Sequence, residues 1–312
     1  MAPEGERGRA LAVLFLVQCA FATLAVVGKV TLAVVPWPAL VLARCAGAAL
    51  CFGLLGLGRG ESLLPPPGHR GRLALLGFLG VFVNQACFLA GLQRTSAIHG
   101  AVLVATIPLF TLGFSVALGR ERLRGALAAG VAVALAGTLL VVHPERATVA
   151  REDLLGDLLV VLNSAAYGLY LTLARGAVLA LGASAVVRQV FFVGALLALP
   201  LGVPAALGAA SWGPRAYLLL GYTVLVPTVF TYAANAWCLA RLPASVVSVF
   251  IYFQPVMAAA LAVTASARLS RWLGVALPAE SLDARTALGA ALVLGGVWLA
   301  TRPERLSGPG EP

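Results

Sequence analysis

Charged side chains are scarce in this 312-residue sequence, in which Asp, Glu, Lys and Arg together make up 11% of the residues. A water-soluble domain carries about 25% charged residues, because water has to wet its surface. The low fraction therefore excludes an ordinary soluble globular protein. Together with the 61% of residues that are hydrophobic, it indicates that lipid surrounds the chain.

Acidic residues are missing from the interior of the apolar runs. Each of the twelve lies in a loop, in a tail or in the first turn of a run. Carriers driven by protons commonly relay them through buried Asp or Glu, so the sequence predicts no such relay. His99 is the one titratable side chain within a run that could replace it, and the alternative is a polar contact at the start of a helix.

Histidine and cysteine are also few, and their placement disfavours an enzyme. The three histidines, His69, His99 and His143, lie far apart in the sequence and without an acid in the apolar runs. An intramembrane hydrolase needs a paired acid, a Ser-His dyad or a metal cluster. All five cysteines lie inside apolar runs, with neither metal-ligand nor loop-disulfide spacing. We therefore expect no catalytic residues, no metal and no cofactor.

Ten apolar stretches are each about long enough to cross a bilayer core of about 30 Å. They lack the strict alternation of barrel strands, and lipid tolerates only helices or closed barrels. The fold class predicted is therefore an all-α membrane protein with ten transmembrane helices. The predicted spans are 10–33, 36–57, 73–92, 97–118, 125–142, 155–175, 184–207, 216–238, 243–264 and 285–301.

The sequence contains the same pattern twice. Arg94 and Arg241 each lead into an apolar run with a proline, Pro108 or Pro255, and both pairs are 147 residues apart. Five spans in each half is an odd number, so the second half has to enter the membrane inverted. Inverted repeats of this kind are typical of transporters whose site lies at the seam near the bilayer midplane.

The repeat also divides the chain. Residues 10–142 form the first five-helix repeat, 143–154 a linker, and 155–301 the second repeat. The Glu121-Arg122-Leu123 and Glu280-Ser281-Leu282 segments are 159 residues apart, so the second copy holds about twelve extra residues, most simply within 265–279.

The net charge of +10 is spread over short loops, which indicates topology and no nucleic-acid partner. In the first half, eight basic residues fall on the N-terminal side and three on the other. The positive-inside rule then predicts a multi-pass membrane protein with both termini in the cytoplasm. The partners expected are the lipid bilayer and a small-molecule substrate.

Three cations, Lys29, Arg44 and Arg188, lie within the spans. Lys29 is the only lysine among 21 arginines, and it either contacts substrate or snorkels to the interface. Arg44 lies two turns into its span and needs backbone carbonyls, a helix C-terminus or an anionic substrate. Arg188 holds a similar position in the second half, which favours a repeated structural or gating role. Cations without buried acids suggest a substrate with a carboxylate, held partly by Lys29 or Arg44.

The two prolines break the hydrogen-bond ladder midway along spans 4 and 9. Such breaks are tolerated where the freed carbonyls face protein or a cavity, so these spans either line the pathway or kink to aid packing. The polar groups near them could bind substrate or simply join helices. The predicted substrate-binding residues are Gln18, Lys29, Arg44, Asn84, His99, Pro108, Tyr167, Tyr232, Asn235, Tyr252, Gln254 and Pro255. Spans 5 and 10, rich in Gly and Ala, are expected to form a packing surface or the interface of a homodimer.

Several of these segments together resemble a known family. They are Val27-Gly28-Lys29, Arg44, Thr95-Ser96-Ala97 leading into Pro108, and Leu242 to Val247 leading into Gln254-Pro255. From about Ala10 to Arg302 the chain resembles the drug/metabolite transporter superfamily, specifically its EamA-type permeases with two five-span repeats. The resemblance implies a bacterial inner-membrane secondary carrier working by alternating access, often an exporter of amino acids, other metabolites or amphipathic drugs. A lipid flippase or a non-transporting scaffold is the alternative.

Overall fold

In the described part of the chain, the computed structural model has ten helices that are long and apolar enough to cross a membrane. The structure describes residues 4–95, 97–146, 154–208, 212–261, 264 and 283–302. The spans, in chain order, are α1 Gly5–Leu32, α2 Trp37–Leu57, α3 Arg70–Arg94, α4 His99–Ala117, α5 Gly125–Val142, α6 Leu154–Leu181, α7 Ala183–Leu207, α8 Pro214–Leu239, α9 Ala244–Leu261 and α10 Ala284–Thr301. The prediction of an all-α protein with ten spans is confirmed.

Both ends of the described chain lie on one membrane face, called the N-terminal face below. There the Arg7 guanidinium donates to the Thr301 carbonyl, and Arg124 Nη2 donates to the Arg302 carbonyl at 2.8 Å. The opposite face is called the distal face. Because five spans separate them, α1 starts on the N-terminal face and α6 on the distal face, so the two repeats are inverted.

Over the described residues, four of the spans are not continuous α-helices, and they form two equivalent pairs. In the first pair, α3 contains the π-helical segment Phe78–Val83 and α8 contains the π-helical segment Leu225–Phe230. These segments are 147 residues apart, the same separation that relates the two proline-containing runs. A π-helical turn widens the helix and is frequent at functional sites.

The second pair carries the two prolines predicted to break the ladder. In α4, the helix ends at Val104 and resumes at Ile107, just before Pro108. In α9, the helix tightens into the 3₁₀ turn Phe250–Tyr252 shortly before Pro255. The predicted interruptions are therefore present. The predicted insertion at 265–279 lies outside the described residues.

Helices α5 and α10 cross through glycines that belong to the repeat. Gly130 faces Gly296, and Gly137 faces Gly289, so closely that a Cβ on any of the four would lie within 2.7 Å of the other helix's backbone. Residues 130 and 289, and likewise 137 and 296, are 159 apart. The glycine faces expected to form a packing or dimer surface therefore pack against each other inside the chain.

A cavity between the two repeats

A central cavity lies between the two repeats. It is lined by residues of α1, α2, α3 and α4 from the first repeat and of α6, α8 and α9 from the second. Seven of the residues predicted from the sequence line it: Gln18, Arg44, Asn84, Tyr167, Tyr232, Asn235 and Gln254. The walls also include apolar and aromatic side chains that no sequence signal singles out, among them Phe21, Phe88 and Ile251.

A second cavity adjoins the first. The two share the side chains of Phe21, Phe88, Val104, Ile251 and Gln254. Its lining includes two more predicted residues, Lys29 and Pro255. Lys29 lies in the last turn of α1, at the distal face, and its side chain is exposed. We call this second space the distal cavity.

Three predicted residues line neither cavity. Pro108 is buried just after the break in α4, where its neighbours Val104 and Ile107 form the cavity wall instead. Tyr252 is fully buried, and its hydroxyl has no partner among the described residues. Residues three apart overlay in a 3₁₀ turn, so Ile251 and Gln254 share the cavity face and Tyr252 turns away from it.

The third residue outside the cavities is His99, which lies beside an acid. His99 Nδ1 is 3.0 Å from Asp157 Oδ2, and the Thr95 hydroxyl donates to the same carboxylate. Asp157 is in the first turn of α6, as the sequence predicts, but packing brings it to the start of α4. The sequence did not predict this pairing, because the two residues are 58 positions apart in the chain.

Each π-helical segment accepts a hydrogen bond from a side chain of the opposite repeat, and these bonds join the cavity wall. Tyr232, from the second repeat, donates to the Gly80 carbonyl of α3 at 2.8 Å. Arg44, from the first repeat, donates through Nη2 to the Pro227 carbonyl of α8 at 3.2 Å. Gly80 and Pro227 are 147 residues apart, so the equivalent carbonyl in each repeat accepts a hydrogen bond from the other repeat.

The break at Pro227 explains why Arg44 is held there. Proline has no N–H, so the carbonyl one turn earlier loses its helical partner. That carbonyl, of Thr223, accepts instead from Thr228 Oγ1 at 2.7 Å. Arg44 Nε then donates to the same Thr228 hydroxyl at 2.9 Å. The π-segment and the arginine thus form one buried network beside the cavity.

Other polar groups of the cavity pair across helices. Gln254 Nε2 donates to Gln18 Oε1 at 2.8 Å, joining α9 to α1. The side-chain amides of Asn84 and Asn163 meet at 2.7 Å, joining α3 to α6, and the Tyr232 hydroxyl oxygen lies 3.0 Å from Asn84 Oδ1. These bonds connect helices of opposite repeats, as polar residues in membrane spans commonly do.

Two amide side chains of the cavity are incompletely paired. Both polar atoms of Gln85, Nε2 and Oε1, lack a hydrogen-bond partner among the described residues, although the side chain is 1% exposed. Asn235 donates to the Tyr167 hydroxyl at 3.3 Å, but its Oδ1 has no partner in the same part of the chain. Buried polar atoms are nearly always hydrogen-bonded, so such exceptions call for a bound molecule or water. Gln85 was not among the predicted binding residues, although a polar side chain inside an apolar run is the signal that selected Gln18 and Asn84.

Arg188 is used differently from Arg44. It pairs with Glu61 of the loop between α2 and α3, and Nη2 donates to the Ser62 carbonyl at 2.8 Å. The Arg188 guanidinium, with the Ser184 hydroxyl, holds the pKa of Glu61 below its usual value. The two arginines therefore do not share a repeated role, since Arg188 ties a loop at the N-terminal face while Arg44 lines the cavity.

Several contacts close the N-terminal face between the repeats. The Glu121 carboxylate, in the loop before α5, accepts from the backbone N–H and hydroxyl of Ser245 at the start of α9. Arg175 Nε donates to the Leu242 carbonyl at 3.0 Å, inside the second repeat. Arg241 Nε lies 3.3 Å from Glu6 Oε2. Together they fasten α9 and the end of α8 to both repeats below the cavity.

Comparison with known proteins agrees with this architecture. A solved structure described as "Crystal structure of protein" matches 94% of this chain and 97% of its own, with a TM-score of 0.73 and 22% identity, which shows the fold alone. The model of the EamA-like transporter family matches twice, over residues 8–143 and 154–302. Each match covers one five-helix repeat, and together they span most of the sequence. The chain therefore belongs to the EamA-like transporter family.

Proposed function

We propose that the protein is a secondary carrier that moves a small metabolite through the central cavity by alternating access. The observation that carries this proposal is the cavity itself, which lies between inverted repeats and is lined by polar side chains of both. Carriers built from inverted repeats place their substrate site at this interface, and they work by rocking one repeat against the other.

The structure is proposed to be the state that opens to the distal face. The distal cavity extends the central one as far as the exposed Lys29. At the N-terminal face, the contacts of Glu121 with Ser245 and of Glu61 with Arg188 join the two repeats. The charge bias of the loops supports a cytoplasmic N-terminal face, so this state is outward-open in the cell inner membrane. We propose export as the direction of transport.

Cysteine labelling tests the route. In a chain whose native cysteines are replaced by alanine, Ala101→Cys places a thiol in the distal cavity and Ser245→Cys places one in the closed N-terminal face. A membrane-impermeant maleimide is expected to label the Ala101→Cys variant from the periplasmic side. The Ser245→Cys variant is expected to react from the cytoplasmic side only when a transported compound is present.

Flux measurements decide whether the cavity carries substrate. Proteoliposomes are tested with a panel of amino acids, hydroxy acids, amphipathic drugs and fluorescent lipids. Labelling of the Ala101→Cys variant is expected to block the flux of every compound that the protein moves. Unchanged flux after complete labelling would rule out the cavity as the route, and movement of lipids alone would favour the flippase alternative.

A further inference from the structure

We propose that the central cavity selects an organic carboxylate without an ammonium group, anchored by Arg44 and hydrogen-bonded by Gln85. This inference rests on the proposed carrier function and names the substrate class of the same cavity. The proposed selectivity separates organic acids from amino acids, which carry both a carboxylate and an ammonium group.

The Arg44 charge has no counter-ion among the described residues. The side chain is 2% exposed, and its hydrogen bonds go to two neutral oxygens, Thr228 Oγ1 and the Pro227 carbonyl. Among the described residues, the titratable groups near the guanidinium are the Tyr232 hydroxyl and the Cys45 thiol, and no described carboxylate lies beside it. A buried charge is costly unless an opposite charge accompanies it. Nη1 donates to no described residue, so the guanidinium can still bind a carboxylate.

The charges along the rest of the route have the same sign. No Asp or Glu is among the described residues that line the central or the distal cavity, and Lys29 is the second cation on the way. A cavity whose lining carries charge of one sign raises the local concentration of ligands with the opposite charge. An ammonium group would be repelled by both cations and would find no carboxylate to pair with in this lining.

The unpaired amide atoms define the neutral part of the ligand. Gln85 offers a free donor and a free acceptor, and Asn235 Oδ1 offers a second acceptor. These atoms suit a hydroxyl or an amide, which can donate and accept at once. Amide oxygens could also accept from an ammonium, but neutral partners alone do not offset the cost of burying its charge. Phe21 and Phe88 form an apolar wall for an aromatic or aliphatic body.

The aromatic wall gives one argument for a cation, since aromatic faces attract ammonium groups. An experiment with matched ligands decides between an anionic and a cationic ligand. Phenyllactate, phenylalanine, phenylalaninol and phenylpropanediol share one skeleton and are an anion, a zwitterion, a cation and a neutral compound, respectively. Thermal unfolding of the purified full-length protein in detergent is measured against the concentration of each compound. Phenyllactate is expected to reach half of its maximal stabilisation at a concentration roughly tenfold or more below that of phenylalanine.

Three variants assign the effect to Arg44. Arg44→Gln is expected to weaken phenyllactate binding by about 30-fold or more, because it removes one partner of a buried charge pair. Arg44→Lys keeps the charge and is expected to retain part of the binding, which controls for misfolding of the glutamine variant. Arg94→Gln removes an arginine that lies outside the two cavities and donates to the Ala90 carbonyl of its own helix, and it is expected to leave the response to phenyllactate unchanged.

The outcomes separate this inference from the carrier function. Equal or stronger stabilisation by phenylalanine or phenylalaninol overturns the inference, and transport of those compounds would leave the carrier function intact. Absence of stabilisation by phenyllactate, benzoate and lactate alike also overturns it. If phenyllactate binds through Arg44 but crosses proteoliposomes in neither direction, the anion site stands and the carrier function fails.

Discussion

The crossing of α5 and α10 offers a test in which two adjacent glycines should behave in opposite ways. Gly296 faces α5, and a Cβ added there would lie 2.5 Å from the Ala134 backbone nitrogen and 2.7 Å from the Gly130 carbonyl. Gly295 precedes it on the same helix, and a Cβ there would meet no atom within 4 Å. Replacing either glycine by alanine changes the helix propensity of α10 in the same way. Only Gly296→Ala also creates a clash with α5.

The expected magnitudes follow from these distances. Alanine is favoured over glycine inside a helix by about 1 kcal/mol, and this gain applies to both variants. In Gly296→Ala the clash is with backbone atoms, which cannot rotate away, so the two helices have to separate. Overpacking of this kind costs about 1–3 kcal/mol. Comparison of Gly296→Ala with Gly295→Ala cancels the helix term and isolates the cost of the contact.

The measurement is the thermal unfolding midpoint of each purified variant in one detergent. A free-energy difference of about 1 kcal/mol shifts Tm by roughly 2–4 °C for a domain of 150–250 residues. Gly295→Ala is expected to unfold at or slightly above the temperature of the unmodified chain, and Gly296→Ala several degrees below it. Equal midpoints for the two variants would refute the conclusion that backbone contact at these glycines holds α5 against α10.

Two further predictions concern the polar networks. Thr228→Val removes the hydroxyl that links the Thr223 carbonyl to Arg44 Nε. Each buried group left unpaired costs about 1–3 kcal/mol, so Tm should fall by several degrees. An unchanged Tm would show that the π-segment does not depend on this link. Glu61→Gln removes the partner of Arg188. Because the pKa of Glu61 is lowered from 4.5, the ion pair stabilises the fold above that pH, and this stabilisation disappears as the pH falls through the lowered pKa. The variant should therefore have the lower Tm at neutral pH and the same Tm as the unmodified chain in strong acid, and a Tm difference independent of pH would contradict the assignment.

The two prolines defined a separation of 147 residues between the two halves, and the same separation relates other features of the structure. It also relates the two π-helical segments and the two carbonyls that accept hydrogen bonds from the opposite repeat, Gly80 and Pro227. Pro227 inside an apolar run was a signal for the break in α8 that could have been used. The equivalent break in α3 has no proline, so only the repeat itself could have suggested it.

The residues of the cavity were predictable by type but not by position. Polar side chains within spans are few, and seven of the residues proposed from the sequence line the central cavity. Tyr252 and Gln254 looked equally suitable in the sequence, yet the 3₁₀ turn places only Gln254 on the cavity face. That the side-chain amide of Gln85 is unpaired among the described residues could be recognised only after the neighbouring hydrogen bonds were known.

By itself, the sequence determined the ten spans, the inversion of the repeats and the scarcity of buried acids. These follow from composition and counting, because an apolar run in lipid has to be helical and an odd number of spans reverses direction. The tertiary structure alone decided which side chains meet. It placed Asp157 beside His99, Arg188 beside Glu61 and Arg44 in the cavity without a counter-ion among the described residues. Such contacts join residues far apart in the chain, and each local break in a helix rotates every side chain that follows it.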